Sequence, residues 1–168
     1  MTNAPAEQLL RNALGHFATG VVIIGTRDET GRPHGFACQS FASLSLAPPM
    51  VLFCASHHSR AWAVTSRTRR FAASILSDQQ RNVSAVFGTK TDNKFDRIDW
   101  HAAPDSGNPV VSGCIAWVDA EVEQIHPGGD HDIIAARVVT VSEPKHGAPA
   151  PLLFYRGNYS SPAPTTLD

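Results

Sequence analysis

The apolar residues of this chain come in short β-branched or aromatic runs separated by turn residues, which restricts it to a fold built mainly of strands. Val21, Val22, Ile23 and Ile24 form one run, and others span 50–54, 71–76, 133–141 and 152–155; each is strand-length and too short for a bundle helix. Ala116, Val118, Ala120 and Val122 alternate with Trp117, Asp119, Glu121 and Glu123, the period of two of a strand with one face buried and one in solvent. The turn residues at 28–33 predict a hairpin whose second strand resumes near Gly35 and Phe36. Pro48-Pro49 and the Pro-Gly-Gly of 127–129 mark two further breaks. Helices are predicted singly between strands. Residues 7–18 present Leu10, Ala13, Leu14 and Phe17 on one face before Gly20 stops the helix. Ser59 opens a helix to about Arg67, and Ser77 with Gln80 fits a capping box ahead of a helix closed by Gly88. Residues 89–109 read as a long surface loop. Single helices among many strands do not make the β-α-β rhythm of a doubly wound sheet. The prediction is a mainly β, α+β protein: a small barrel of antiparallel strands, a closure that hides sheet edges, with peripheral helices.

The chain has 168 residues, 42% of them hydrophobic, and a net charge of -1. One domain over 1–168 is predicted, with a core over 7–159 and a loose polar tail over 160–168. A near-neutral chain does not predict a nucleic-acid partner, which needs clustered positive charge. Cys38, Cys54 and Cys114 are odd in number and widely spaced, so a reducing compartment is predicted over a disulfide framework. No leader-like segment and no membrane-length apolar stretch is visible, which predicts a cytoplasmic protein. No G-x-G-x-x-G, phosphate-binding P-loop or G-x-S-x-G elbow is present. His57-His58 and His131-Asp132 lack the spacing of a zinc site, so no metal is predicted. The residues alone lead to a barrel-like α+β domain with a Ser- and Gln-rich turn.

The segment Gly35-Phe36-Ala37-Cys38-Gln39-Ser40-Phe41-Ala42-Ser43-Leu44-Ser45, continued by Leu46-Ala47-Pro48-Pro49-Met50-Val51-Leu52, resembles the flavin motif of the flavin reductase family, which has the FMN-binding split-barrel fold. Four more ordered segments are similar to that family: 14–21, 94–100, Gly129-Asp130-His131, and 151–157. The run around Cys38 and Gln39 most resembles reductases that serve aromatic and seco-steroid hydroxylases, with Cys38 and Gln39 where the commoner form has Ala and Asn.

The resemblance implies an NAD(P)H:flavin oxidoreductase that prefers NADH to NADPH, reduces FMN or FAD, and supplies a separate monooxygenase acting on an aromatic or steroid-derived substrate. It also implies a homodimer. Ala37, Cys38, Gln39 and Ser40 are implied to line the isoalloxazine edge, with Ser43 and Ser45 continuing that wall. Cys54, Ala55 and Ser56 end the next strand, and Ser59 and Arg60 open a helix whose N-terminus suits the flavin phosphate. Phe87, Lys94 and Phe95 are implied to close over the flavin, and His131, Tyr155 and Arg156 to serve NADH. No catalytic acid or base is implied, because hydride transfer by stacked rings needs positioning, worth roughly 7–11 kcal/mol of barrier. Each residue has a plainer reading as well: a Ser-rich turn, a simple N-cap, a solvated arginine, a core phenylalanine, a surface histidine. The alternatives are a non-catalytic flavin- or haem-binding split-barrel protein and, last, an enzyme of the pyridoxamine-phosphate oxidase type.

Overall fold

The computed structural model describes residues 4–143, 147 and 149–163. The first half of the chain holds α1 (Ala4–Leu14), β1 (Thr19–Gly20), β2 (Val22–Arg27), β3 (Pro33–Cys38), β4 (Ala42–Leu46) and β5 (Pro49–Ser56), then α2 (Arg60–Thr68) and β6 (Arg70–Ile75). The second half holds α3 (Arg81–Phe87), β7 (Trp100–Ala102), β8 (Pro109–Val111), β9 (Ala116–Gly128), β10 (His131–Val141), β11 (Leu153–Tyr155) and β12 (Asn158–Ser160). Short 3-10 turns over Asp78–Gln80 and Lys94–Arg97 lie between them. Seven strands form one antiparallel sheet in the order β3-β2-β6-β9-β10-β5-β4. Its two edge strands are consecutive in sequence, so the short link after Cys38 folds the sheet round on itself as a split barrel.

Period-two alternation explains the core. On β2, Val22 and Ile24 enter the cluster inside the barrel with Phe53, Phe71, Trp62 and Ile134, while Ile23 enters a second cluster outside it with Leu76, Phe87, Phe95 and Val110. β6 divides the same way, Phe71 and Ala73 inward and Ala72 outward. The near-continuous apolar runs of these central strands therefore reflect burial on both faces. α2 begins at Ser59, whose hydroxyl accepts the Trp62 N–H at 3.1 Å. The capping box at Ser77 and Gln80 is present, and Gly88 ends α3.

The structure corrects several expectations. α1 ends at Leu14, Gly20 lies in β1, and Leu9, Leu10, Leu14 and Phe17 are exposed, because no part of the described chain packs over them. Residues 42–46, read as part of a turn, form β4 by pairing with β5. Asp119, expected in solvent, is 1% exposed: the 103–108 segment covers it, and its Oδ1 accepts from Ser106 Oγ at 2.8 Å and Asn108 Nδ2 at 3.3 Å. Ser160, expected to open a loose tail, is paired in β12 opposite Leu153; residues 164–168 of that expectation lie outside the described residues. Among the described residues no helix is long and apolar enough to cross a membrane.

The 89–109 segment is not a loose loop either. It contributes β7 and buries Phe95 against Phe87, ring centroids 4.9 Å apart. Two glycines make room for it. Gly25 and Gly35 face each other across β2 and β3. A Cβ on Gly25 would lie 2.5 Å from the Pro109 carbonyl oxygen, and one on Gly35 would lie 2.6 Å from the Ile24 carbonyl oxygen and 3.0 Å from the rings of both Phe87 and Phe95.

Asp28 ties the β2–β3 turn. Its Oδ1 accepts from the Thr30 hydroxyl at 2.6 Å and from the N–H groups of Thr30 and Arg32 at 2.9 and 3.0 Å, and its Oδ2 lies 2.8 Å from His34 Nε2. The Thr30 hydroxyl first, then His34, hold its carboxyl far below the usual carboxylate range. A carboxylate depressed by folding stabilises above its unfolded pKa of about 3.9, and that contribution is lost as pH falls through the folded value. Asp28→Asn is expected to lower stability at pH 7, and the gap to wild type to narrow progressively as pH falls below about 4 toward the depressed folded value; urea unfolding at a series of pH values from 7 downward checks this.

Candidate active site

The ends of β3 and β5 and the loop into α2 enclose an open cleft of about 450 Å³, within the usual size range of small-molecule sites. Phe36, Ala37, Cys38, Gln39 and Ser40 form one wall, Cys54, Ala55, Ser56 and Ser59 the other, and His131 stands at the start of β10. All of these except Phe36 were singled out in the sequence. The alternation on β3 carried the signal for Phe36: it lies two residues before Cys38, on the same face, and packs its ring 6.1 Å from that of Phe53.

Ser40 holds the two walls together. β4 pairs with β5 as far as Ala42 opposite Leu52, so Cys54 lies beyond the last rung. The Ser40 hydroxyl replaces the missing strand: it accepts the Cys54 N–H at 2.8 Å and lies 3.3 Å from the Cys54 carbonyl oxygen. The same hydroxyl is 3.3 Å from Cys38 Sγ, and burial pushes that thiol's pKa up. Cys38 is thus a packed, protonated wall residue rather than a nucleophile. Gln39 is oriented by Thr19, whose hydroxyl donates to Oε1 at 3.2 Å.

His131 Nδ1 is 2.8 Å from Asp130 Oδ1, and this hydrogen bond is the main reason the Asp130 carboxyl lies below its ordinary range. Asp132, the next residue, is held low by the Trp62 indole N–H first and by His57 second.

Other residues proposed from the sequence lie elsewhere. Ser43 and Ser45 belong to β4, outside the cleft lining, because the strand pairing carries them away toward Val51 and Met50. Phe87 and Phe95 are each 2% exposed in the second apolar cluster, and this burial leaves no free ring face to close over a ligand. Lys94 donates from Nζ to the Phe87 carbonyl at 2.9 Å, which suits a cation at the C-terminus of α3; burial, and then the Arg60 charge, lower its pKa. Arg60 is paired with Asp92 at 2.8 Å and also bonds the Lys90 carbonyl. Tyr155 and Arg156 stand on the β11–β12 turn, where the Tyr155 ring meets His16 edge-on at 6.3 Å and the Arg156 N–H donates to Gly15 O at 2.9 Å. Within one chain they do not line the cleft. Among the described residues no group of three or more His, Cys, Asp or Glu comes together that could hold a metal ion.

The donor set of the cleft suits a flavin. Small residues and the Phe36 and His131 rings line an open cleft, the ends of β3 and β5 and the Gln39 amide border it, and the N-terminus of α2 stands at Ser59. Comparison with known proteins agrees with that chemistry. A flavin reductase like domain matches residues 14–163. The chain belongs to the flavin reductase family.

This family member is 44% identical over 155 residues to the reductase subunit HsaB of a flavin-dependent monooxygenase from Mycobacterium tuberculosis, covering 92% of this chain and 81% of that protein. The HsaB protein of Rhodococcus jostii is 46% identical over 154 residues, covering 92% and 77%. Among solved structures, nitrilotriacetate monooxygenase component B of Mycobacterium thermoresistibile superposes with a TM-score of 0.89 at 44% identity, covering 99% of this chain and 96% of that one. The NADH:FAD oxidoreductase SgcE6 of Streptomyces globisporus, in complex with NAD and FAD fragments, superposes with a TM-score of 0.90 at 28% identity, covering 99% and 98%. The split-barrel architecture is common to this chain and those structures.

Proposed function

We propose that this flavin reductase uses NADH to reduce FMN or FAD and passes the reduced flavin to a separate monooxygenase that hydroxylates an aromatic or steroid-derived substrate. The observation that carries this reading is the gathering of Ala37, Cys38, Gln39, Ser40 and His131 around one open cleft. When bound, a flavin supplies the acceptor for a hydride from reduced nicotinamide. The chain's part is to bind, orient and leave access. Backbone groups of 37–40 and the Gln39 amide hold the polar edge, while the free N–H groups at the start of α2 suit a phosphate. The open cleft leaves a nicotinamide room to stack beside His131, and lets reduced flavin leave. Hydride transfer between stacked rings calls for no general base, in keeping with catalysis by positioning.

The chain acts as a homodimer in the cytoplasm. Leu44 and Leu46 on the edge strand β4, and Leu9, Leu10, Leu14 and Phe17 on and after α1, are exposed apolar residues of the kind a second copy covers.

The test is direct. Purified protein mixed with NADH and either FMN or FAD should deplete the nicotinamide absorbance band, and NADPH should be the poorer donor. Flavin binding without NADH consumption would favour a flavin-binding protein lacking turnover. In the same assay His131→Ala is expected to raise the NADH KM about tenfold, the worth of one hydrogen bond to a charged or polarised group, with little change in the flavin KM. An unchanged NADH KM would remove His131 from the nicotinamide site.

A further inference from the structure

Three elements meet at one carboxylate beside the cleft. Asp132 follows His131 on β10, and the pleat points their side chains to opposite faces. His131 lines the cleft. Asp132 accepts the Trp62 indole N–H at 2.8 Å through Oδ2 and lies 3.0 Å from His57 Nε2 through Oδ1. The backbone N–H of His57 also donates to Asp130 O at 3.1 Å, so His57 is fastened twice to the β9–β10 corner. The chain around His57 is cleft wall: Ser56 and Ser59 line the cleft, and the Ser59 N–H donates to Ser56 O at 2.9 Å. Trp62 is buried in the barrel, its ring edge-on to Phe53 at 6.1 Å.

We propose that Asp132 is a positioning residue: through His57 and Trp62 it fixes the spacing between the cleft wall of Ser56 and Ser59 and the wall that carries His131. This rests on the reading of the cleft as a flavin and nicotinamide site.

The chemistry of the two donors differs. The indole has one N–H and no acceptor, so its bond to Asp132 is independent of pH. Histidine gains and loses a proton between about pH 5 and 8. Protonated His57 gives Asp132 a charge-assisted bond, and neutral His57 still donates from its Nε2–H tautomer. In Asp132→Asn the amide oxygen can keep the Trp62 bond, which turns the amide NH2 toward His57. Neutral His57 accepts from that NH2; protonated His57 meets it donor to donor. The tie in the variant therefore fails as pH falls, whereas the wild-type tie strengthens. The other titratable groups near this cluster are Asp130, which His131 and His57 both hold low, and His131 itself, bonded to Asp130 at 2.8 Å on the cleft side. Both are unchanged in the variant, so their effects cancel in a variant-to-wild-type ratio.

The experiment measures FAD and FMN dissociation constants by fluorescence quenching at pH 6 and pH 8, with the KM for NADH and kcat alongside. For Asp132→Asn the ratio of dissociation constants to wild type is expected to be about tenfold at pH 6 and about twofold or less at pH 8, with KM changed more than kcat. His57→Gln, at a half-exposed position, keeps a neutral donor toward Asp132 at every pH; its ratio should exceed one at pH 6 and return to about one at pH 8. A ratio equal at the two pH values overturns the positioning role, whether read from Asp132→Asn or, if that variant does not fold, from His57→Gln. A wild-type chain with no affinity for either flavin overturns the reading of the cleft itself, and the positioning role with it.

Discussion

Phe71→Ala is expected to lower the free energy of unfolding by about 3–5 kcal/mol, the range for truncating a fully buried aromatic ring. Phe71 lies on β6 in the middle of the seven-stranded sheet and is 0% exposed. Its ring is edge-on to Phe53, centroids 5.0 Å apart, and Phe53 in turn touches Trp62 and Phe36. Removing it takes one ring from a chain of four and leaves a hole between sheet and α2 that rigid strands cannot close. Marginal stability makes such a loss a large fraction of the total. Urea unfolding should show a lower midpoint with an unchanged slope. A loss below about 1 kcal/mol would mean that the barrel interior is looser than its burial indicates.

The double substitution Gln39→Ala and Ser40→Ala is expected to weaken flavin affinity by roughly ten- to a hundredfold, since two hydrogen-bonding groups each worth about 0.5–1.5 kcal/mol are removed. Ser40 accounts for more than a ligand contact. Without its hydroxyl, the N–H of Cys54 loses its partner and the two walls of the cleft lose their tie. Ser40→Thr, which keeps a hydroxyl, separates the two contributions: it should keep the tie and most of the affinity. Fluorescence titration that returned wild-type affinity for the double variant would overturn the assignment of the 37–40 wall.

Strands buried on both faces were the most legible part of the chain, because the run at 21–24 and the run at 71–76 have no other way to satisfy so many apolar residues. The caps at Ser59, Ser77 and Gly88 were legible for a local reason: each depends on hydrogen bonds within a few residues. β4 was not, since Ala, Ser and Leu carry little strand preference and Ala42–Leu46 becomes a strand only by pairing with β5. Asp119 broke the alternation rule because burial under the 103–108 segment is a long-range event that a period of two cannot report. At the cleft, the residues alone indicated only a polar turn, and resemblance to a family supplied the grouping of 37–40 with 54–56 and 131. Neither route found the joining of Asp132 to Trp62. The visible sign was a tryptophan three residues after an N-cap, whose indole N–H needs an acceptor once buried.

The facing glycines on β2 and β3 tie distant stretches of the chain to one another. A methyl group at residue 25 would run into the backbone of Pro109, and one at residue 35 into two aromatic rings from separate segments. Mutational drift at Gly25 is therefore coupled to the length and path of the 89–109 segment. A rerouted loop would clear the space beside Gly25, whereas Gly35 is also held to glycine by the Ile24 carbonyl of its own hairpin, so only the first position can drift together with that segment.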